Sequence, residues 1–432
     1  MAESAETGEN GTTPEGYTEA LALMHRCATA DGFLASPTEH ANYHRVWSRD
    51  GAVLGLAALA SGDETLIMTL RRTLETLANH QGPHGEIPSN VEPMTERVSF
   101  GGTAGRVDAN LWFVIACGEY WAATGSDAFI EAMLPALERV RFLLGAWEFN
   151  NRGLLYVPQT GDWADEYIQS GYVLYDQLLY LQALRTLCRI HGHVHGTTDH
   201  ALLERIGRLY HLIRANYWFR NGDDAGEDAY HPVLYQRGRE AAALRESEHR
   251  HWMPFFSPTG YGFRFDAFAN VLASLLRVAY DDQRAEVDTF IREIAPEGME
   301  LLPAFHPVIH PEDSAWEELQ MNFSYSFRNH PHEYHNGGLW PLITGFHVAD
   351  LAGRDEAAAR HHLAALDRAN ALPMEGEPWS FPEFVHGTEL TAGGTRHQGW
   401  SAAAAVLGHR ALAGAPVLRL TGAMDEGEVD LG

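Results

Sequence analysis

The sequence predicts an all-α fold, a toroid in which an inner ring of helices is wrapped by an outer one. Two observations carry that expectation. Segments with helical periodicity recur about twelve times, and alternating strand-like runs are nearly absent. No fixed-period self-similarity marks a solenoid, and no low-complexity linker divides the chain. A single domain over residues 17–415 is therefore expected, with a flexible N-terminal tail at 1–16 and a C-terminal tail at 416–432.

The helical segments fall near residues 17–30, 50–61, 64–79, 107–123, 127–147 and 171–190. A second set follows near 199–216, 266–280, 283–294, 338–351, 355–370 and 398–412. In "SGDETLIMTLRRTLETLANH", Asp63 is placed to cap the helix, and Leu66, Leu70, Leu74 and Leu77 form one stripe. The connections are unequal. The long ones include "GPHGEIPSNVEPMTERVSFGGTAG", "YWFRNGDDAGEDAYHPVLYQRGRE", "HRHWMPFFSPTGYGFRFD", "EELQMNFSYSFRNHPHEYHNGG" and "EGEPWSFPEFVHGTELTAGGTRHQ". Loops of that length in a compact domain usually carry function. Their mixture of aromatic rings with Arg, Asp, Asn, Gln and His suits a sugar-binding cleft, because rings stack on C–H faces and planar polar groups pair with hydroxyls.

Composition removes several function classes. The 432 residues are 45% hydrophobic, enough for a large core, and carry a formal net charge of −27. No lysine occurs; all 31 basic residues are arginine. A Schiff-base lysine and a Walker-type phosphate lysine are thus excluded. So acidic a chain is not expected to bind nucleic acid or anionic membranes. Adaptation to high salt explains the charge, since salt screens self-repulsion, while GC bias is the competing account of the missing lysines. On the first account, activity and melting temperature should both rise with added salt; full stability without salt would discard it.

Cys27, Cys117 and Cys188 lie far apart and are expected as reduced core residues of a cytoplasmic protein. The polar start "MAESAETGENGTTPEG" has no signal-peptide pattern, and no apolar run reaches transmembrane length. Oligomeric state is not legible here, and a homo-oligomer is compatible with the sequence.

Glycosidic hydrolysis requires one protonated and one ionised carboxyl. Among 58 acidic residues, four stretches place carboxylates in turn-rich or aromatic settings at helix starts. "VWSRDGAVLGLAAL" offers Arg49 and Asp50 after Trp47, with Asp50 equally readable as a helix cap. "GRVDANLWFVIACGEYW" offers Arg106 and Asp108. "TGDWADE" offers Asp162 and Asp165, which would share a face if that turn is helical, and Trp163 beside Asp162 could raise its pKa. "WSFPEFVHG" offers Glu383 between Pro382 and Phe384.

"RVDANLWFVIACGEYWAATG", "YHNGGLWP" and "GTRHQGWSAAA" together resemble the alkaline/neutral invertase family, in order and across most of the chain. Weaker similarity extends to glycogen-debranching-type glucosidases. The resemblance implies an (α/α)6 barrel that inverts the anomeric carbon without metal or organic cofactor. By motif position it assigns Asp162 as general acid, with Asp165 as the fallback, and Glu383 as the base that activates water. It places Asp50, Arg106, Asp108, His335, Asn336 and Gln398 on substrate hydroxyls, and Trp47 and Trp340 as stacking walls, beside Arg49 and Trp163. Two departures bear on the leaving group: Val385 and His386 follow the base where the family has Tyr-Asp, and Glu166 stands where arginine is usual.

The implied ligand is a small saccharide with an α-linked glucosyl unit, sucrose first. Alternatives are a branched α-1,6-glucan end and glucosyl- or mannosyl-glycerate-type solutes. The competing classes are a sugar epimerase or isomerase, which would depend on histidines, and a non-enzymatic carbohydrate-binding protein. No Gly-x-Ser-x-Gly elbow supports a serine hydrolase. His191, His193, His195 and His200, and His330, His332 and His335, lack the fixed spacing of a metal site, and none is expected.

Overall fold

A computed structural model describes residues 14–164, 166–219, 228–245, 250–322 and 326–421. Its helices are α1 (Glu15–Cys27), α2 (Ser48–Ser61), α3 (Glu64–Asn79), α4 (Asp108–Thr124), α5 (Asp127–Ala146), α6 (Leu174–His195) and α7 (His200–Tyr217). They continue with α8 (Pro232–Leu244), α9 (Ala267–Leu275), α10 (Asp281–Ile294), α11 (Trp316–Met321), α12 (Pro341–Leu351), α13 (Glu356–Asn370) and α14 (Gly399–Leu412). Packing closes one ring: α2 touches α4, α4 touches α6, then α9, α12 and α14 follow, and α14 returns to α2. The ring helices alternate along the chain with α1, α3, α5, α7, α10 and α13, which form the outer layer. This is an (α/α)6 barrel.

Burial separates the two layers, and sequence explains why. Inner α2 ("SRDGAVLGLAALAS") buries every residue from Ser48 to Ala60, so no polar face is needed. Outer α3 buries only Leu66, Thr69, Leu70, Thr73, Leu74 and Leu77, with charged residues on its other face. Asp63 does cap it, accepting a hydrogen bond from the Leu66 amide at 3.0 Å. Each of the twelve expected helical segments is present.

Two helices were expected as loops. α8 starts at a capping His231 with Pro232 in its first turn, but buries only Tyr235, Gly238 and Ala242, so its apolar stripe is too thin to read from periodicity. α11 is six residues long, below the length at which a helical period can show. Cys27, Cys117 and Cys188 are buried free thiols. Among the described residues no helix is long and apolar enough to cross a membrane. Past α14 the chain packs back on the barrel: Val417 and Leu418 are buried, and the Arg419 and Leu420 amides donate to Glu119 at 2.7 and 2.9 Å.

The site face is made by the starts of the inner helices. Short antiparallel pairs lead into them, including β1 (Val46–Trp47) with β2 (Asn90–Glu92), which also pairs β3 (Arg97–Ser99). β4 (Tyr172–Val173) pairs β5 (Phe255–Ser257), which pairs β6 (Gly260–Tyr261), while β7 (Phe265–Asp266) pairs β8 (Phe305–His306). β9 (Phe384–Val385) pairs β10 (Ala392–Gly393). Contacts join the helix starts directly: Arg49 on α2 to Asp108 on α4, Tyr175 on α6 to Asp108, and Gln398 before α14 to Asp50.

Candidate active site

Five aspartates converge where the inner helices begin: Asp50, Asp108, Asp162, Asp176 and Asp266, each at most 3% exposed. Helix N-termini favour negative charge, which makes this end of the barrel the least costly place to bury carboxylates. Asp50 is the third residue of α2 rather than its cap, Trp47 occupying that position. Its carboxyl accepts from Gln398 Nε2 at 3.1 Å, and burial, partly offset by Arg49, pushes its pKa up to about 7. Asp108 opens α4 and accepts from Arg49 at 2.7 Å and from the Tyr175 hydroxyl at 3.3 Å.

Asp162 lies in an irregular bend, not a helical turn, and Asp165 lies outside the described residues. Gln169 Nε2 donates to Asp162 Oδ2, while Oδ1 has no hydrogen-bond partner among the described residues. Burial pushes this carboxyl well above the usual range, and nearby Asp266 and Asp108 add to the effect against the opposing Gln169 and Arg106. The neighbouring Trp163 is 1% exposed and centres an aromatic cluster, meeting Phe305 (5.8 Å), Trp340 (5.4 Å) and His335 (5.0 Å). This is the environment of a carboxyl kept protonated.

Glu383 has the opposite surroundings. It precedes β9, and its backbone pairs with Thr395 across the hairpin at 3.0 Å. The Tyr43 hydroxyl donates to Oε1 at 2.7 Å, and the Thr395 amide donates to Oε2 at 3.0 Å. Gly394 (φ +73°) allows this approach, since a Cβ there would lie 2.5 Å from Oε2. Burial and the Glu383 charge raise the Tyr43 phenol well above its ordinary value, so it stays a donor. Arg328 donates to the Tyr43 oxygen at 3.4 Å and to Glu166 Oε2 at 3.1 Å. One guanidinium thereby joins the loop bearing Asp162 to the group that holds Glu383.

Other expected site residues fall into place unevenly. His335 stacks on Trp340 (5.1 Å, 12° between planes), which covers a tryptophan that is itself fully buried. The Trp340 indole donates to the Tyr334 carbonyl at 3.0 Å, and the Trp47 indole to the Asn42 carbonyl at 2.8 Å. Asn336 is spent on its own loop, bonding the Ile309 amide and carbonyl at 2.7 and 2.8 Å and the Asn329 carbonyl at 3.1 Å. Arg106 donates to the Thr160 carbonyl. Of the histidines considered for metal, His191 pairs with Glu138 and His193 with Asp127.

Sequence reasoning did not single out Tyr43, Gln169, Asp176, Asp266 or Arg328. Asp176 carried a visible signal, as the one acid in the apolar run "VLYDQLLYLQAL". It is fully buried, neither carboxyl oxygen has a hydrogen-bond partner among the described residues, and burial with Asp162 nearby drives its pKa far up. The native state therefore holds a proton that the unfolded chain loses above about pH 4, so Asp176 costs stability as pH rises. Asp176→Asn should gain on the wild type by up to about 1.4 kcal/mol per pH unit above pH 5, measured by urea unfolding. A difference that stays flat with pH would show Asp176 to be ionised.

No family model matches the chain. It is similar to two curated plant proteins from Arabidopsis thaliana. Probable alkaline/neutral invertase D is 24% identical over 395 residues, 80% of this chain and 70% of that protein. The chloroplastic alkaline/neutral invertase E is 24% identical over 387 residues, 78% of this chain but only 62% of the relative. Among solved structures, a bacterial glucoamylase complexed with acarbose aligns with a TM-score of 0.61 at 16% identity, over 93% of this chain and 56% of the other. A GH63 mannosylglycerate hydrolase from Thermus thermophilus, with Tris and D-glycerate, gives 0.60 at 14% identity, over 91% of this chain and 99% of the other. The resemblance read from the motifs is thus found across the chain, and the shared fold is the (α/α)6 barrel of these glycosidases.

Proposed function

We propose that the protein is a glycoside hydrolase that inverts the anomeric carbon of an α-glucosyl unit, with sucrose as the first substrate to test. The observation that carries this reading is the pair of buried carboxyls in opposite environments. Asp162 is desolvated and half unbonded, as an acid that protonates the bridging oxygen must be. Glu383 accepts two hydrogen bonds and is backed by Arg328 through Tyr43, as suits an ionised base that takes a proton from water. An epimerase would place histidines in those roles, whereas His335 lies stacked on Trp340. A binding protein would have no use for the pair.

A second reading comes from the solved structures. One that shares this fold is a GH63 mannosylglycerate hydrolase in complex with Tris and D-glycerate. A glucosyl- or mannosyl-glycerate-type substrate is therefore the alternative, ahead of a branched α-1,6-glucan end. Proton NMR of a sucrose digestion in concentrated salt tests the first reading, with β-glucose expected before mutarotation. Release of α-glucose would overturn inversion. Absence of any sugar release would remove sucrose and move the assay to glycerate-linked solutes.

A further inference from the structure

A cavity of about 660 Å³ lies on the site face but outside the carboxylate cluster, a volume typical of small-molecule sites. Phe100, Trp147, Phe149 and Tyr156 line it, with Arg106 and Glu86 as charged groups. Phe149 is 73% exposed and Phe100 is 37% exposed, so two large apolar rings stand in water at one opening. Phe149 is also held at φ +52°, a left-handed conformation that costs a bulky residue about 1 kcal/mol or more. The same turn is fixed by a bond from the Tyr156 amide to the Trp147 carbonyl at 3.0 Å, which brings the Tyr156 and Phe149 rings to 6.0 Å, edge to face. Among the described residues, neither the Trp147 indole N–H nor the Tyr156 hydroxyl has a hydrogen-bond partner.

The cavity adjoins the loop that bears Asp162. Arg106 lines it and donates to the Thr160 carbonyl, and the next amide, Val107, donates to the Gly161 carbonyl at 2.7 Å. We propose that this cavity is a second ring-binding site, which takes a pyranose unit of a saccharide beside the acid-bearing loop. The choice of a saccharide rests on the glycosidase reading. The chemistry fits that class: aromatic faces take the C–H face of a pyranose, while a guanidinium, a carboxylate, an indole N–H and a phenol surround the rim for hydroxyls. An occupant would press on Arg106 and Pro158, and so on the approach to Asp162.

The test reads the cavity directly and does not need turnover. The protein is labelled with 5-fluorotryptophan, and the Trp147 fluorine resonance is identified as the one lost in Trp147→Phe. Adding maltose should shift that resonance saturably, and Phe149→Ala, at an exposed position away from the carboxylates, should weaken the titration about fivefold. A Trp147 resonance that stays still while other tryptophans respond overturns the proposal. So does a shift produced by phenol and not by maltose, which would define an aryl site. A saturable maltose shift in a protein that hydrolyses no glycoside upholds the second site and removes the hydrolase reading instead.

Discussion

Asp162→Asn should lower kcat on an unactivated glycoside about a thousandfold, within the range that a positioned general acid supplies. The substitution is close to isosteric, and an amide oxygen can still accept from Gln169 at the place of Oδ2. Because burial already favours the neutral carboxyl, a neutral amide adds no new charge imbalance, and the melting temperature should hold within a few degrees. Two further readouts separate acid catalysis from a structural role. The loss should shrink on an aryl glycoside, whose leaving group departs with little protonation. In the wild type, activity should fall as pH rises through the raised pKa of Asp162, because the acid is active only while protonated. That alkaline limb should disappear in the variant. Wild-type rates would return the acid's role to Asp165.

The barrel was legible in the sequence because helix periodicity is a local property. Inner α2 reads as nearly continuous apolar residues and outer α3 as a stripe, and the structure places them in different rings. The burial of Asp162 and Glu383 was legible for a related reason: "GDWAD" and "SFPEFVHG" put acids into turns and aromatic surroundings where solvated charge is a poor explanation. Their partners were not. Tyr43 reaches Glu383 from 340 residues away, and Arg328 reaches Glu166 from 162 away. Such pairs follow from closing the ring, which no local pattern encodes. Glu166 is the instructive case. It stands where the family usually has arginine, and it is 5% exposed and bonded to Arg328. The missing arginine of the acid loop has a counterpart on a loop far along the chain. Asn336 sits beside His335 in a telling motif, and its amide bonds Ile309 and Asn329, contacts that the motif does not announce.

Glu383→Gln should be the most damaging single change, with kcat reduced about ten-thousandfold, since water then has no base to take its proton. Packing gives no reason for the fold to fail. The Gln carbonyl oxygen can accept from the Thr395 amide, and its NH2 can donate to the Tyr43 oxygen, which now lies free of a carboxylate. Arg328 keeps its bond to Glu166 and so holds the acid loop in place. On the proposed reading the variant lacks one thing, the base that takes the proton of the attacking water. Sodium azide, a nucleophile that needs no deprotonation, should therefore restore turnover in Glu383→Gln on an activated glucoside and yield the β-glucosyl azide. Asp162→Asn should not respond, because its defect lies in protonating the departing group. Azide rescue of neither variant, with both folded by circular dichroism, would take Glu383 out of the base role. Rescue that gave the α-azide would keep Glu383 in the site but place attack on the other face of the sugar, against inversion.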